Sequence, residues 1–443
     1  MGNLFLITDY GAQSGTQEAQ TAAIQRTIDD ADASQGTVVI PKGIFKTGTL
    51  NLKSASLCLE KGGVLLASEK REDYRRIGYL HCEFGETICL LYSLGGQDIS
   101  IYGEGTIDLN GKSFFDFQKY QLPPQIADRF DEEAKQETTA SFDWRPNQSI
   151  FFHLCKHVTL RDVTILDAPC WTLTFSECQR VLVDGITNIG HPRIPNNDGI
   201  HLSACRDVII VNCNISSADD CIAVSSITNW LKPCENISVV NCILRSFSKA
   251  IVLGYSHSIV RNVTISNCNI LESNRGFCIM PATQTGMVEN VVVSNLRIDT
   301  RIRAGNWWGN GEPVFIFSLP YQTLDHRDYR QELALRKYSV NVRNILFQNL
   351  ICTAENAAGV VGMDNMENVK FDGFFVQLKE GKHLALKGNV FDTAPSTVCV
   401  PVPGDSSNPC VFCVQGVKVE LSNVSGCGIH GEPGSIFQCS DIS

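Results

Sequence analysis

The sequence predicts an all-β protein, a single right-handed parallel β-helix with a capping helix near its N-terminus. Three observations predict this fold: a short motif recurs along the chain, apolar and polar residues alternate within each copy, and no helical segment separates the copies. Such a pattern is typical of a solenoid, because one coil cannot bury its apolar face alone and must stack on its neighbours.

The recurring unit is a short strand that ends at a turn rich in Asn, Asp and Gly. Its copies are CKHVTLRDV at Cys155, CQRVLVDGI at Cys178, CRDVIIVNC at Cys205, CENISVVNC at Cys234, VRNVTISNC at Val260, VENVVVSNL at Val288, VRNILFQNL at Val342 and MENVKFDGF at Met366. Successive copies start 23 to 29 residues apart, with one double interval before Val342. Stacking in register would align the Asn and Cys side chains into ladders. A leucine-rich repeat or a propeller would need a helix or hairpins in each unit, and neither pattern is present.

Stretches without the repeat set the predicted domain boundaries. The predicted units are residues 1–35 as a strand and capping helix, 36–380 as the β-helix with excursions at about 111–147 and 301–331, and 381–443 as Cys-containing strands or a cap. The helix has Ala23, Ile24, Ile28 and Ala31 at helical spacing, with Thr16 as the expected N-cap. Excursions on a solenoid tend to lie on one face, where they build a binding cleft.

Composition indicates an ordinary globular protein with an acidic balance. The 443 residues are 43% hydrophobic and 19% charged, with a formal net charge of −10. This charge argues against nucleic acid or an anionic membrane as a partner, and no apolar run of about 18 residues predicts a membrane span. The 19 cysteines fall mainly in strand-like runs, which favours reduced, buried thiols. We therefore expect a cytoplasmic protein, with a secreted protein that has lost its signal as the alternative.

Stacked coils should bring four charged residues into one column. Asp198, Asp220, Lys249 and Arg275 stand at equivalent positions one coil apart, and neighbouring strands lie about 5 Å from each other. Asp219 must point differently from Asp220, because side chains alternate along a strand. Crowded carboxylates raise each other's pKa, and a fold usually retains them for acid–base chemistry or a metal ion. The alternative is that Asp198 and Asp219 are turn residues that bond their own backbone.

Paired carboxylates suit glycoside hydrolysis, in which one acid protonates the leaving oxygen while another activates water. Other catalytic motifs are missing, since the chain has no GxxxxGK[ST] and no GxSxG. Cys410 and Cys413 form a CxxC without a second pair at zinc-finger spacing, so buried thiols or a disulfide are favoured over zinc. We predict no metal and no cofactor.

The second excursion contains NWWGNGEP, in which Trp307 and Trp308 are adjacent. Flat indole rings stack well on sugar faces, and Glu312 could bond substrate hydroxyls. The alternative is that one tryptophan only packs the loop against the β-helix. His201 follows Asp198 on the predicted strand, where a histidine is more often structural than catalytic. Trp171 is expected beneath the cleft.

Several segments resemble glycoside hydrolase family 28, the polygalacturonase and rhamnogalacturonase family of right-handed β-helices. They are ITDYGAQSGTQEAQTAAIQRTIDDA, GTVVIPKGIFKTGTLNLKS, GEGTIDLNG, APCWTLTFSECQRVLVDGI, IPNNDGI and SSADDCIAVSS. The last two resemble the family's Asn-Thr-Asp and Gly-Asp-Asp motifs, with Asn197 replacing Thr and Ala218 replacing Gly. The resemblance implies Asp219 as the general acid. It also implies that Asp198 and Asp220 hold and deprotonate water, with inversion at the anomeric carbon.

Two family motifs are replaced. Ser248-Lys249-Ala250 stands where the polygalacturonases have Gly-His-Gly, and Cys278-Ile279-Met280 stands where they have Arg-Ile-Lys. In those enzymes the basic residues grip a galacturonate carboxylate, which Cys278 and Met280 cannot do. The resemblance therefore implies retained hydrolytic acids without the family's galacturonate clamp. A neutral sugar, or a galacturonide held in another way, is the expected substrate.

The predicted protein is an inverting glycoside hydrolase, exo-acting because of its excursions, that cleaves a pectin-related or other plant-type oligosaccharide. Its expected partner is the saccharide alone, and its catalytic residues are Asp198, Asp219 and Asp220. The predicted substrate-binding residues are Asn197, His201, Lys249, Arg275, Trp307, Trp308 and Glu312. The alternatives are a β-helix polysaccharide lyase and a catalytically silent carbohydrate-binding β-helix.

Overall fold

Parallel pairing between successive coils organises almost the whole chain. The computed structural model describes residues 3–120, 131–305, 307–320, 329–383 and 409–439. Within them, two long sheets of parallel strands wind around one apolar core. The predicted all-β parallel β-helix is confirmed. In these same residues, no helix is long and apolar enough to cross a membrane.

One of the two sheets, named the cleft sheet because it carries the candidate site, has twelve strands. They are Leu50–Asn51, Leu91–Leu94, Ile150–His153, Leu173–Ser176, Ile200–Ser203, Ile222–Ser225, Lys249–Ser256, Arg275–Pro281, Val314–Ser318, Ala358–Gly362, Cys410–Gln415 and Ser435–Cys439. Alternation along each strand divides its side chains between two faces. Ile200 and Leu202 belong to the apolar core, so His201 between them points outward. The outward side chains build the site.

The second sheet has 21 strands and forms the remaining faces of each coil. They are Leu4–Leu6, Thr37–Ile40, Gly43–Thr47, Ser56–Leu59, Gly63–Ala67, Gln97–Tyr102, Thr106–Asp108, Lys156–Arg161, Thr164–Leu166, Gln179–Asp184, Thr187–Ile189, Arg206–Val211, Asn214–Ser217, Cys234–Val240, Ile243–Ser246, Ile259–Ser266, Asn269–Ser273, Met287–Thr300, Val342–Ala354, Met366–Leu378 and Glu420–Cys427. Both sheets continue beyond residue 409, so the Cys-containing C-terminal strands extend the β-helix.

Asparagine ladders mark the turns, as the repeat predicts. Asn236, Asn262, Asn290, Asn344 and Asn368 all have φ between 51° and 60°, a left-handed conformation that Asn tolerates better than most residues. Each later amide donates from Nδ2 to Oδ1 of the preceding one at 2.9–3.1 Å. The repeated Asn therefore satisfies both the turn geometry and the stacking.

Cysteines form similar ladders inside the coils. Cys155, Cys178, Cys205 and Cys234 are fully buried, and their thiols approach backbone carbonyls or neighbouring thiols. They act as small apolar groups that fit where consecutive coils turn. The predicted burial is observed at these positions, and none of these four thiols forms a disulfide with another described residue. Cys399 lies outside the described residues.

The N-terminal end is capped by the helix Thr21–Ala33, whose buried face includes Ile24, Ile28 and Ala31. The N-cap differs from the prediction, because Gln20 rather than Thr16 precedes the first turn. The Thr16 hydroxyl instead donates to the Glu18 carbonyl, which turns the chain ahead of the helix. Short 3-10 helices occur at Ile7–Tyr10, Arg71–Asp73 and Gly111–Phe114.

Excursions from the coils rise on the cleft side. One is the antiparallel hairpin Arg76–His81 with Gly85–Ile88, which the sequence did not predict. The two predicted excursions contain the strands Asp116–Tyr120 and Ala140–Ser141 and the short helices Glu132–Lys135 and Arg330–Ala334. Residues 121–130 of the first excursion lie outside the described part of the chain. Asn306 and residues 321–328 also lie outside it.

Candidate active site

Three carboxyl groups converge where two neighbouring strands of the cleft sheet begin. Ile200 pairs with Ile222, so Asp198 and Asp220 occupy equivalent positions on consecutive coils. Carboxylate oxygens of Asp198, Asp219 and Asp220 all lie within 4.8 Å of one another. Asp198 is 4% exposed and Asp220 is 7% exposed, whereas Asp219 is half-buried and more open. The structure thus brings the three predicted catalytic acids together.

Asn197 holds this arrangement from behind. Its Oδ1 accepts hydrogen bonds from the backbone N–H of Ala218 at 2.6 Å and of Asp219 at 3.3 Å, and its Nδ2 donates to the His191 carbonyl at 2.9 Å. The side chain is fully buried and does not line the pocket. This corrects the expectation that Asn197 binds substrate. Its amide joins the coil of Asp198 to the coil of Asp219, which makes it a positioning residue.

Burial and crowding retain protons on the carboxyl cluster. The pKa of Asp198 is raised well above its usual range by burial first and then by the charge of Asp219. Burial also raises the pKa of Asp220 to about 7, although the nearby Lys249 ammonium opposes that rise. The cluster therefore keeps protons to higher pH than isolated carboxyls do, and it holds them beside further ionisable carboxyls. This combination of an acid and a base is what bond cleavage with water requires.

Lys249 lies directly against the acids. Its Nζ is 3.1 Å from Asp220 Oδ1 and 4.2 Å from the centroid of the Trp308 ring. The register pairs Lys249 with Arg275, which confirms the predicted column of one charge per coil. Trp308 is half-buried and lines the pocket, so its exposed face is available for a sugar ring.

His201 belongs to the pocket wall. Its Nε2 is 3.4 Å from Asp198 Oδ2, and its ring stacks on Trp171 with centroids 3.6 Å apart and planes 9° apart. Burial lowers the pKa of His201 to about 4, so the imidazole is neutral at neutral pH. A neutral imidazole can donate to Asp198 without adding charge. Trp171 lines the pocket itself rather than packing only beneath it.

The acids line a pocket with about 480 Å³ of empty space. Its lining residues are Glu83, Trp171, Asn196, Asp198, His201, Asp219, Asp220, Ala223, Ser225, Ile227, Lys249, Val252, Gly254, Tyr255 and Trp308. Sequence reasoning missed Glu83, which lies in the turn of the Arg76–Ile88 hairpin. The available signal was the loss of the repeat pattern between residues 68 and 91.

Arg145, in the first predicted excursion, was also missed. Its Nη1 donates to the carbonyls of Pro169 and Pro195, and its Nη2 donates to Asn196 Oδ1 at 2.8 Å. Asn196 has φ 56° and lines the pocket two residues before Asp198. Arg145 therefore fixes the turn that delivers Asp198, and nothing in the sequence spacing indicates this long-range contact.

Three predicted substrate-binding residues lie away from the pocket. Arg275 is fully buried and forms a two-point ion pair with Glu312, with N–O distances of 2.9 and 3.2 Å. Trp307 is also buried, and its Nε1 donates to the Glu137 carbonyl at 2.7 Å. This corrects the expectation that all three bind substrate. These three residues anchor the excursion that carries Trp308. The alternative given for the tryptophan pair, in which one ring only packs the loop, therefore describes Trp307.

Cys278 and Met280 belong to an apolar cluster on the outer face of the cleft sheet. Its buried members are Ala223, Val252, Cys278, Met280, Phe315, Phe317 and Val361. Cys278 pairs with Val252 in one coil and with Phe315 in the next. Burial raises the pKa of the Cys278 thiol to about 11, so it stays neutral. The cluster offers van der Waals contact and no charge at this end of the pocket.

Among the described residues, the three aspartates are the group of side chains whose ligand atoms lie close enough together to hold a metal ion. The Lys249 ammonium already supplies a positive charge to this cluster, so the arrangement does not require a metal ion. Cys410 and Cys413 are buried on one strand of the cleft sheet and belong to no convergent metal-binding group in the part of the chain that is described.

Replacing Lys249 with Met should move the acid limb of the pH–rate profile to higher pH. The ammonium favours ionised Asp220, so its loss raises the pKa of that carboxyl further. An opposite charge within contact distance lowers a carboxyl pKa by roughly 1–3 units, and we expect a displacement of at least about 1 unit. The measurement is kcat/KM against pH. Lys232→Met, which removes a surface partner of Glu177, should leave the profile unchanged. If the acid limb of the pH–rate profile did not move in Lys249→Met, the contact between Lys249 and Asp220 would be contradicted.

Comparison with known proteins places this site in a family. The model of the family described as "Glycosyl hydrolases family 28" matches residues 32–305. An exopolygalacturonase of Platanus acerifolia is 23% identical over 381 residues, which cover 81% of this chain and 85% of that protein.

Two solved structures share the fold. The family 28 exopolygalacturonase of Yersinia enterocolitica has a TM-score of 0.66 at 17% identity, covering 99% of this chain and 78% of that one. The exopolygalacturonase of Thermotoga maritima has a TM-score of 0.62 at 18% identity, covering 99% and 91%. The family match extends over more than half of the chain and includes all three aspartates. The chain belongs to glycosyl hydrolase family 28 and is a glycoside hydrolase.

Proposed function

We propose that this protein is an exo-acting hydrolase that releases terminal sugars from pectin-derived oligosaccharides with inversion of configuration. The observation that carries the proposal is the convergence of three carboxyl groups within 4.8 Å in the lining of one pocket. Relatives named as exopolygalacturonases support both the pectic substrate and the exo action.

Asp219 donates the proton to the leaving oxygen in this proposal. It is the most open of the three acids, and its backbone carbonyl is held by the hydroxyls of Ser217 at 2.6 Å and Ser246 at 2.7 Å. A fixed backbone with an accessible carboxyl suits a group that must meet the glycosidic oxygen. The carboxyl oxygens of the three acids lie within 4.8 Å of one another, so a proton on Asp198 is close enough to pass to Asp219 through the cluster.

Asp198 and Asp220 hold and deprotonate the attacking water. Both are nearly buried, so they present little surface to a sugar carbon but can still hydrogen-bond a small molecule. This geometry favours water over a carboxylate as the nucleophile, hence inversion. The carboxyl oxygens of the three acids lie within 4.8 Å of one another. This separation is shorter than the about 6.5–9.5 Å between the carboxyl groups of inverting enzymes and closer to the about 5–5.5 Å of retaining enzymes. Product stereochemistry is therefore a decisive measurement.

Exo action rests on the shape of the site. The Arg76–Ile88 hairpin contributes Glu83 to one wall, and the second excursion contributes Trp308 to another. Excursions that wall a solenoid cleft leave room for a chain end rather than for a chain that passes through. A product series dominated by internal cuts would contradict this part of the proposal.

The test is a reducing-end and double-bond assay on pectic and neutral oligosaccharides, with wild type beside Asp219→Asn. We expect new reducing ends, and a loss of about 10²–10⁴-fold in kcat/KM in the variant because a general acid is removed. Asp98→Asn is the matched control, since Asp98 is exposed and its φ of 55° suits Asn.

Proton NMR of the same digests gives the configuration of the first product, which inversion predicts to be opposite to that of the substrate bond. Unsaturated products would instead indicate a lyase. Binding without any product would indicate a silent carbohydrate-binding β-helix.

A further inference from the structure

We infer that the pocket selects a terminal sugar whose exocyclic carbon is uncharged, such as a methyl-esterified uronate or a neutral sugar, over a free uronate. This inference rests on the proposed function and names the chemical class of the sugar that occupies the same site. Three features of the described residues carry it: the charges of the lining, the engagement of nearby cations, and the apolar wall.

The lining is rich in carboxyl groups. Four carboxyl side chains line the pocket, those of Glu83, Asp198, Asp219 and Asp220, and Lys249 is the cation among the described lining residues. Its ammonium is engaged by Asp220 Oδ1 at 3.1 Å and by the Trp308 ring at 4.2 Å. A substrate carboxylate would add another negative charge beside the catalytic acids. Like charges in a partly buried site disfavour each other more strongly than in water.

Nearby guanidinium groups are already committed to protein partners. Arg275 is fully buried against Glu312, and its guanidinium also lies 4.4 Å from the Phe315 ring centroid. Arg145 donates to two backbone carbonyls and to Asn196 Oδ1. Neither lines the pocket. Recruiting either group to a substrate carboxylate would break contacts that hold the site together.

The wall beyond the acids is apolar. Ala223, Ile227 and Val252 face the pocket, and Val252 continues into the buried cluster through Cys278. A carboxylate against this wall would lose hydration without gaining a donor, which is unfavourable for a charged group. A methyl ester, a methyl group or a hydroxymethyl group loses less hydration there and gains van der Waals contact. Shape and charge therefore favour the same class of substituent.

A matched pair of substrates tests the inference. Oligogalacturonides and their methyl-esterified forms share backbone and linkage and differ in charge, and neutral oligosaccharides form a third arm. We expect kcat/KM at least 10-fold higher for the esterified or the neutral arm than for the free acid. The two uncharged arms distinguish an ester from a neutral sugar. Equal or better cleavage of the free acid would overturn the inference while leaving the hydrolase proposal intact.

If none of the three substrates is cleaved, that result counts against the proposed function and not against the inference. The inference can then be tested by the binding of monosaccharides. Calorimetry with galacturonate, its methyl ester and galactose then compares affinities. Tighter binding of either uncharged sugar upholds the inference, and tighter binding of galacturonate overturns it.

Two variants test the physical cause. Val252→Lys adds a cation to the wall and should shift preference toward the free acid by at least 10-fold, whereas Ile209→Lys on the other sheet should not. Glu83→Gln is the milder change, should Val252→Lys fail to fold. It removes one lining carboxyl and should narrow the discrimination against free acid several-fold. Unchanged preference in a folded Val252→Lys or in Glu83→Gln would overturn the electrostatic basis.

Discussion

Replacing Asp198 with Asn is expected to abolish most hydrolysis and to stabilise the protein at the same time. The activity loss should reach about 10²–10⁴-fold in kcat/KM, because the variant lacks a carboxyl that holds the attacking water. The stability gain should be about 1–3 kcal/mol above neutral pH, because the variant removes a carboxylate whose charge is disfavoured by burial and by Asp219. The Asn amide can donate to the carboxylates beside it.

The gain should grow with pH. Burial raises the pKa of folded Asp198 well above that of the unfolded chain. Above about pH 4 the unfolded state loses this proton while the folded state keeps it, so wild-type stability from this group falls as pH rises. The fall ends once pH passes the folded pKa. Asn does not titrate, and the difference between variant and wild type should therefore widen from pH 4 upward.

Urea unfolding at pH 4, 6 and 8 measures this difference directly. Asp98→Asn, at an exposed position, should give no comparable trend. Equal stability of Asp198→Asn and wild type at every pH would mean that the site tolerates a charged Asp198, which would remove the crowding argument. Full activity in the variant would remove Asp198 from the proposed mechanism.

Register explains why much of the site could be predicted. In a parallel coil the strand spacing is constant, so residues one coil apart become neighbours. That rule placed Asp198, Asp220, Lys249 and Arg275 in one column, and the pairing of Lys249 with Arg275 confirms it. The same rule predicted the Asn ladders. Repetition supplies long-range contacts that a single sequence otherwise conceals.

Excursions lack that repetition, and there the prediction failed. Arg275 was placed on the correct strand, but its partner Glu312 comes from a loop with no register of its own. The same reason hid Arg145 and Glu83. For Trp307 and Trp308, the sequence left open whether both rings bind sugar or one packs the loop, and the structure buries Trp307 while Trp308 lines the pocket. The repeat predicts where a residue lies in a coil. It does not predict which loop residue its side chain contacts.

Replacing Arg275 with Met should destabilise the protein by about 3–5 kcal/mol and weaken sugar binding. The change leaves Glu312 as an uncompensated charge in a buried site, which is the costly way to break an ion pair. Glu312 also accepts from the backbone N–H of Asn310 at 2.7 Å, so the loop that carries Trp308 should loosen. Chemical unfolding measures the loss of stability. An increase in KM measures the weaker sugar binding that follows when the loop carrying Trp308 loosens. Lys61→Met, which removes an exposed partner of Glu104, should change neither.

The double variant Arg275→Met with Glu312→Gln separates anchoring from substrate contact. Removing both charges cancels the buried imbalance, so most of the lost stability should return, because the cost lies in the unpaired charge. KM should recover together with stability if the pair acts only by holding Trp308 against Lys249. If stability returns while KM stays high, one of the two side chains reaches the sugar in the bound state. In that case Arg275 would return to the substrate-binding set.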